Sequence, residues 1–210
     1  MKCVHDSELT TIRAWQRGDE QAIRAVFDRY YPQAVHIAEL SGMTLESAQD
    51  CAQEAFVCAF KKRHQLRNPE SFAFWFHRIA TRYVLDSPEM RQRNREVSLE
   101  ASQEVTEYVE APEQTQPDTV AISGEEREHL WRRVQALPPN YRLPLALHYY
   151  GDFSIHEVAT LIGKRESTVR VTIHRALRML RLLSQGEQQE ATRKQSQFLT
   201  STNYSLRTGH

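Results

Sequence analysis

The stretch that decides the fold is SIHEVATLIGKRESTVRVTIHRALRMLRLL, residues 154–183. Ser154 followed three residues later by Glu157 is the capping-box pattern of a helix start. Gly163 is a typical helix end, and apolar residues then recur at helical spacing from Val169 to Leu180. A short helix, a turn and a longer helix in this order predict a helix-turn-helix, whose second helix enters the major groove of DNA.

The second helix of this motif has a basic face opposite its apolar stripe. Between residues 164 and 184, six Lys and Arg face a single acid, Glu166. Such side chains can hydrogen-bond to base edges or hold phosphates, although a solvated basic helix face is the structural alternative. The side chains expected to contact DNA are Arg165, Ser167, Thr168, Arg170, Val171, His174, Arg175 and Arg178.

The rest of the chain also has a helical composition. Only 7 Gly and 8 Pro occur in 210 residues, and the hydrophobic content of 40% is enough for compact cores. Capping and breaking residues divide the first part into four predicted helices. Their boundaries are expected near Asp6, at Gly18-Asp19, at Gly42-Thr44 and at Asn68-Pro69. The fold class is therefore predicted to be all-α, with two small helical domains.

An acidic stretch separates the two predicted domains. Residues 96–128 contain ten acids and one base, Arg127, together with Pro112 and Pro117. A segment of this composition buries too little apolar area to offset the entropy of ordering it. We expect domains at residues 6–95 and 125–184, a flexible acidic linker at 96–124, and a polar, disordered tail at 185–210.

Two polar surfaces of the amino-terminal domain are candidates for binding. Asp50, Gln53 and Glu54 lie away from an alanine stripe on the third predicted helix, so they can present acceptors to a basic partner. Residues 61–95 carry nine bases against three acids, which suits contact with phosphates. For both surfaces, a solvated polar face is the structural alternative.

The residues of both domains resemble one family, the small extracytoplasmic-function sigma factors of bacterial RNA polymerase. In the amino-terminal half, residues 50–56 (DCAQEAF) and 74–80 (FWFHRIA) are similar to region two of that family. The resemblance to region four covers residues 137–183. It rests on Leu137-Pro138, Tyr141-Arg142, Leu145, Leu147-His148-Tyr149, Gly151, Ser154, Glu157-Val158-Ala159, Gly163, Thr168-Val169-Arg170 and His174-Arg175-Ala176.

The resemblance implies a role for each surface. Asp50, Gln53 and Glu54 would dock on the clamp helices of core RNA polymerase. The helix-turn-helix would read the minus-thirty-five duplex. The melted minus-ten strand, with one flipped base, would be bound by Arg63, His64, Arg67, Asn68, Arg78 and Arg82. Core RNA polymerase and promoter DNA are then the expected partners, and an anti-sigma factor is a candidate third. The linker would follow the RNA exit channel or serve as a solubilising spacer.

Two departures from the family pattern affect these surfaces. Lys164 and Arg165 stand where the family often has an apolar residue and a small cap, which changes the turn of the helix-turn-helix. Ser87-Pro88 replaces the usual basic continuation after Asp86. Because proline cannot donate a helix hydrogen bond, the fourth helix is predicted to break and restart near Ser87.

Other classes of protein are less well supported. No run approaches the roughly 20 apolar residues that span a bilayer, and the first residues lack a secretory signal, so a cytoplasmic protein without membrane insertion is expected. The histidines and carboxylates show no metal-ligand or catalytic-triad spacing, so neither a cofactor nor enzyme activity is expected. The leading alternative is a dimeric helix-turn-helix regulator that is not a polymerase subunit.

Overall fold

The computed structural model describes the backbone of residues 6–92 and 124–207 and the side chains of residues 7–92 and 129–186. Regular structure in these ranges is helical throughout, which confirms the all-α prediction. The helices are α1 (Asp6–Arg17), α2 (Glu20–Leu40), α3 (Leu45–Lys61), α4 (Phe72–Asp86), α5 (Gly124–Ala136), α6 (Pro139–Tyr149), α7 (Ile155–Ile162) and α8 (Glu166–Arg207). Residues 88–92 are also helical, and two 3-10 turns cover Arg63–Gln65 and Pro69–Ser71. The predicted linker lies outside the described residues except at Gly124, where α5 begins.

Aromatic side chains form the core of the amino-terminal half. Trp15 of α1 is fully buried and makes edge-to-face contacts with Phe60 and Phe72, at centroid distances of 6.1 and 5.0 Å. Phe76 is also fully buried, and its ring lies edge-on to that of Phe56. Because α3 buries a stripe of alanines, the large rings of its neighbours fit against its backbone. The buried alanines of α3 are Ala48, Ala52, Ala55 and Ala59.

The predicted break after the fourth helix is confirmed. α4 ends at Asp86, and Ser87 has extended backbone angles. The Ser87 hydroxyl donates to the Val84 carbonyl oxygen at 2.8 Å and accepts from the Met90 amide at 3.3 Å, so it closes one helix and caps the next turn. Met90 is buried, and Glu89 accepts a hydrogen bond from Ser47 of α3 at 2.6 Å. The chain after α4 therefore folds back onto the start of α3.

The carboxy-terminal half contains the predicted helix-turn-helix. The Ser154–Glu157 capping box opens α7, and Gly163 ends it with a φ of 67°. A residue with a Cβ is strained at that φ, so glycine suits the turn into α8. Gly151 is required for a different reason, since a Cβ there would lie 2.7 Å from the Leu147 carbonyl oxygen and 2.8 Å from the Phe153 ring.

The last helix is longer than the sequence predicts. α8 continues to Arg207, so the predicted end near Leu183 is wrong. The physical reason is that this stretch has no proline and is rich in Gln, Glu, Arg and Lys, which are good helix formers.

No helix in the described part of the chain is long and apolar enough to cross a membrane.

The two halves pack against each other, which the sequence does not predict. Phe153, in the loop before α7, lies edge-on to Phe74 and His77 of α4, with ring centroids 6.2 and 5.1 Å apart. The Gln135 side-chain amide of α5 donates to the Glu39 carbonyl oxygen of α2 at 2.9 Å. The buried residues of both halves consequently form one continuous cluster.

Candidate polymerase and DNA interfaces

The candidate polymerase surface is the solvent face of α3. Asp50, Gln53 and Glu54 are all exposed, on the side of the helix away from its buried alanines. Val57 lies one turn further along the same face and is 47% exposed, although it is apolar. Val57 was not predicted as a contact residue. The sequence signal for it is the seven-residue step from Asp50, which returns to the same side of a helix.

Arg63 stands apart from the other predicted minus-ten residues because its side chain is directed toward the protein. Its Nε donates to the Gln16 carbonyl oxygen at 3.2 Å, and a terminal nitrogen donates to the Phe60 carbonyl oxygen at 3.0 Å. The guanidinium carbon lies 4.3 Å from the centroid of the Phe60 ring. The charge of Arg63 is therefore engaged by the end of α3 and the end of α1.

Gln16 of α1 is a second residue that holds this region. Its side-chain amide donates to the Leu66 carbonyl oxygen at 2.7 Å and to the Arg63 carbonyl oxygen at 3.3 Å. Gln16 was not predicted from the sequence, because nearly fifty residues separate it from the loop it contacts. No local pattern gives a signal for such a contact.

The other predicted residues of the loop face solvent. His64, Arg67 and Asn68 are exposed. The Asn68 side-chain oxygen accepts from the Glu70 amide at 3.1 Å, and its carbonyl oxygen accepts from the Ser71 hydroxyl at 2.7 Å. Asn68 therefore also shapes the turn that leads into α4.

The two predicted arginines of α4 lie one turn apart on the exposed face of that helix. The side chain of Arg82 is 85% exposed, and its Nε lies 3.6 Å from the Asp86 carboxylate. Arg91 contacts the same carboxylate at 3.2 Å. Arg78 is exposed one turn earlier. A single exposed acid thus offsets part of the positive charge of this surface.

The candidate duplex-DNA surface is the outer face of α8. Val169, Ile173 and Ala176 are buried against the rest of the helix-turn-helix. His174 and Arg175 are half-buried at the edge of this contact. Six of the predicted DNA-contacting residues are exposed: Arg165, Ser167, Thr168, Arg170, Val171 and Arg178. The inward apolar stripe and the exposure of six of the eight outward residues agree with the predicted separation, and His174 and Arg175 are less exposed than predicted.

An ion pair joins the two helices of the helix-turn-helix at its tip. Nδ1 of His156 on α7 lies 2.6 Å from a carboxylate oxygen of Glu166, the first residue of α8. This hydrogen bond and the negative charge of Glu166 raise the pKa of His156 above its ordinary value. Glu166, the one acid of residues 164–184, is therefore bound by a side chain of α7.

The two cysteines of α3 lie beside its solvent face. Cys51 and Cys58 are half-buried free thiols, and burial is the main cause that raises the pKa of Cys51. Within residues 7–92 and 129–186, no group of three or more His, Cys, Asp or Glu side chains is placed to hold a metal ion. The candidate surfaces therefore consist mainly of charged and hydrogen-bonding side chains.

Comparison with known families and proteins matches both halves. Residues 26–96 match the family model Sigma-70 region 2, and residues 127–180 match Sigma-70, region 4. The ECF RNA polymerase sigma factor SigW of Bacillus subtilis is 26% identical over 175 residues, which are 81% of this chain and 92% of that protein. The ECF RNA polymerase sigma factor SigE of Mycolicibacterium smegmatis is 31% identical over 162 residues, 77% of this chain and 60% of that protein.

Solved structures show the same fold. CnrH, determined in complex with the cytosolic domain of CnrY, superposes with a TM-score of 0.56 at 19% identity over 86% of this chain and 99% of that one. The sigma factor RpoE, determined in complex with the anti-sigma factor NepR from Bartonella quintana, gives a TM-score of 0.53 at 18% identity over 77% of this chain and 96% of that one. With a region 2 and a region 4 match in one helical chain, this protein belongs to the extracytoplasmic-function sigma factors of the sigma-70 family.

Proposed function

We propose that this chain directs core RNA polymerase to specific promoters in the cytoplasm and helps to melt them, without catalysing a reaction itself. The observation that carries this proposal is the presence of two separate surfaces on one chain. One is the polar face of α3 with the basic loop beside it, and the other is the basic outer face of α8. A sigma factor needs both, because it must hold a polymerase and recognise DNA at two places.

The outer face of α8 is proposed to read the minus-thirty-five duplex. An α-helix fits the major groove, where base edges present distinct patterns of donors and acceptors. Arg170 and Arg175 are suited to base edges, and Arg178 and Arg165 to phosphates on either side. Ser167, Thr168, Val171 and His174 complete the surface. The buried stripe of α8 holds this face in a fixed orientation on α7.

The polar face of α3 is proposed to bind the polymerase clamp. Asp50, Gln53 and Glu54 supply two carboxylates and an amide on successive turns, which can accept hydrogen bonds from a basic partner. Val57 adds an apolar contact at the end of the same face. Polar side chains beside an exposed apolar one match the polar rim and apolar centre of a protein–protein interface.

The loop after α3 and the outer face of α4 are proposed to bind the melted minus-ten strand. His64, Arg67 and Asn68 are exposed on the loop, and Arg78 and Arg82 are exposed on α4. Arginines can hold phosphates and stack on bases, both of which stabilise single strands. Extruding a base from a duplex costs a few kcal/mol, so a site that holds the flipped base favours the open state.

The two DNA surfaces are proposed to act together through the bound polymerase. Linking two modest sites raises their effective concentration, so the pair binds more tightly than either alone. We propose domains at residues 6–95 and 125–184, with the acidic residues 96–124 as their connector in the RNA exit channel. A connector of about 30 residues can span up to roughly 100 Å. The contacts of Phe153 with α4 must open when the two surfaces bind distant parts of a promoter.

An anti-sigma factor is a further proposed partner. The solved structures of CnrH and RpoE each contain a second protein, and for RpoE it is the anti-sigma factor NepR. The carboxy-terminal half of the present chain exposes apolar side chains that can bind such a partner. They include Leu130, Tyr149 and Leu182.

Transcription from a defined promoter tests the main proposal. Core polymerase supplemented with the purified chain should start RNA at a promoter that core alone ignores. Glu54→Lys should weaken binding to core by about tenfold, because it places a cation against a basic partner. Asp28→Lys makes the same charge change at an exposed position of α2 and serves as the matched control. A chain that dimerises, leaves core polymerase unbound and protects palindromic operators would instead be an ordinary helix-turn-helix regulator.

A further inference from the structure

The carboxy-terminal end of α1 packs against the basic loop of residues 62–68. Trp15 is fully buried among the rings of Phe60, Phe72 and Trp75, which fixes this end of α1 in the core. The next residue, Gln16, bonds the loop backbone at two carbonyl oxygens, those of Arg63 and Leu66. α1 is therefore the element that holds the loop from inside the domain.

Arg63 in turn donates to the backbone of Gln16, so each of the two side chains binds the carbonyl oxygen of the other residue. Gln16 donates to the carbonyl oxygen of Arg63, and Arg63 donates to the carbonyl oxygen of Gln16. Arg63 also donates to the carbonyl oxygen of Phe60 and covers its ring. We call this pair the Gln16–Arg63 clamp. It joins three pieces of backbone: the end of α1, the end of α3 and the loop.

The clamp separates the side chains of the loop into two sets. Leu66 is buried and Arg63 is half-buried, whereas His64, Gln65 and Arg67 are exposed. Beyond the short 3-10 turn Arg63–Gln65, the backbone of the loop lacks the repeated hydrogen bonds of a helix, so its conformation depends on such individual contacts. The clamp thus determines which loop side chains are presented to a ligand.

We propose that Gln16 is a positioning residue for the capture of single-stranded minus-ten DNA, acting through the loop backbone and not through contact with the DNA. The proposal rests on the proposed function of the loop. A surface that is already ordered in its binding conformation loses less entropy when it binds. Without the Gln16 amide, the carbonyl oxygens of Arg63 and Leu66 can bond water, so the domain still folds while the loop samples more conformations.

Gln16→Met tests this inference, since methionine keeps the length and volume of the side chain but donates no hydrogen bond. The probe is a labelled single-stranded DNA selected from a random pool by the wild-type holoenzyme. Reconstituted with core polymerase, the variant should bind this probe about tenfold more weakly, as expected for two lost neutral hydrogen bonds. Gln21→Met, at an exposed position of α2, is the matched control and should bind as the wild type does.

Two further measurements distinguish positioning from a general structural role. Binding of the Gln16→Met chain to core polymerase and of its holoenzyme to a minus-thirty-five duplex should both stay within twofold of wild type. In a double-mutant cycle, Gln16→Met should cost much less in an Arg67→Gln background, because the clamp acts through the side chains that the loop presents. Additive losses, or equal losses on core polymerase and duplex DNA, would overturn the inference.

Substitutions of exposed loop residues distinguish failure of the clamp proposal from failure of the proposed function. If Arg67→Gln and His64→Ala weaken binding of the probe while Gln16→Met does not, the loop binds DNA but Gln16 does not position it. If neither Arg67→Gln nor His64→Ala changes binding, the loop is not a minus-ten site and both ideas are wrong.

Discussion

The basic loop of residues 62–68 and the outer face of α8 differ in how they use their polar side chains. In the loop, Arg63 donates its hydrogen bonds to the protein itself, and Asn68 accepts one from the backbone of the following turn. On α8, Arg170, Val171 and Arg178 are exposed. The helix orders its own backbone by repeated hydrogen bonds, whereas the loop has one short 3-10 turn and is held in addition by side chains.

In segments that are proposed to bind DNA, a basic residue then has one of two roles. In a helix, the buried stripe supplies the orientation and leaves the opposite side chains available for a ligand. In a loop, some of the polar residues have to hold the backbone so that their neighbours can bind. Substitution of a residue that holds the loop backbone, such as Arg63, should therefore change stability, whereas substitution on the outer face of α8 should change sequence preference.

The largest effect is expected for Arg63→Met, measured as the free energy of unfolding. The change removes two charge-assisted hydrogen bonds to backbone carbonyls and a cation–π contact, so it should destabilise the chain by about 2–3 kcal/mol. Chemical denaturation measures this value. Arg67→Met, on the exposed side of the same loop, is the control and should change stability by less than about 0.5 kcal/mol. Equal effects of the two substitutions would contradict the comparison.

A somewhat smaller effect, on DNA preference and not on stability, is expected for Arg175→Ala. Arg175 lies at the edge of the outer face of α8, and loss of a base contact should relax discrimination at one upstream promoter position by about 1–2 kcal/mol. Holoenzyme binding to duplexes with every base at each position measures this. If affinity falls equally for all sequences, Arg175 is a phosphate contact.

Local sequence patterns predict the parts of the molecule that are determined by neighbouring residues. The capping box at Ser154 and Glu157, the stop at Gly163 and the break at Ser87 each depend on side chains within a few positions of the helix end they define. The buried stripe of α8 follows from helical periodicity alone. For the same reason, the sequence is sufficient to assign the outward residues of α8 to one face of the helix.

Contacts between distant segments could not be predicted in this way. A basic residue in a polar loop, such as Arg63, suggests a DNA contact. Its side chain turns inward because the carbonyl oxygen of the distant Gln16 and that of Phe60 both accept hydrogen bonds from it. The packing of Phe153 on Phe74 likewise depends on how two helical units meet, and no local pattern encodes it. α8 is longer than predicted because polarity alone does not end a helix, and polar residues such as Gln and Lys favour helices.

Asp86→Asn should produce a modest gain in binding to the minus-ten strand. Asp86 lies 3.6 Å from Arg82 and 3.2 Å from Arg91, so removal of its charge leaves both arginines available for phosphates. Because these groups are exposed, we expect an increase in affinity of only about two- to threefold, and a smaller one at high salt. Titration of the holoenzyme with a single-stranded probe at two salt concentrations measures it. Unchanged affinity at low salt would place this surface outside the DNA contact.

The smallest expected effect concerns Glu166, the one acid of residues 164–184. Glu166 pairs with His156 across the helix-turn-helix. Since this pair raises the pKa of His156 in the folded state, its contribution to stability is complete below the ordinary histidine pKa and is lost as the pH rises through the raised value. Both side chains are exposed, so the effect on unfolding should be slight. NMR titration of the imidazole is therefore the better measurement, and Glu166→Gln should lower the pKa of His156. The histidines of the amino-terminal half serve as internal controls. An unchanged pKa in the variant would mean that Glu166 does not pair with His156 in solution. The Glu166 side chain would then be as available to a ligand as the exposed side chains of α8.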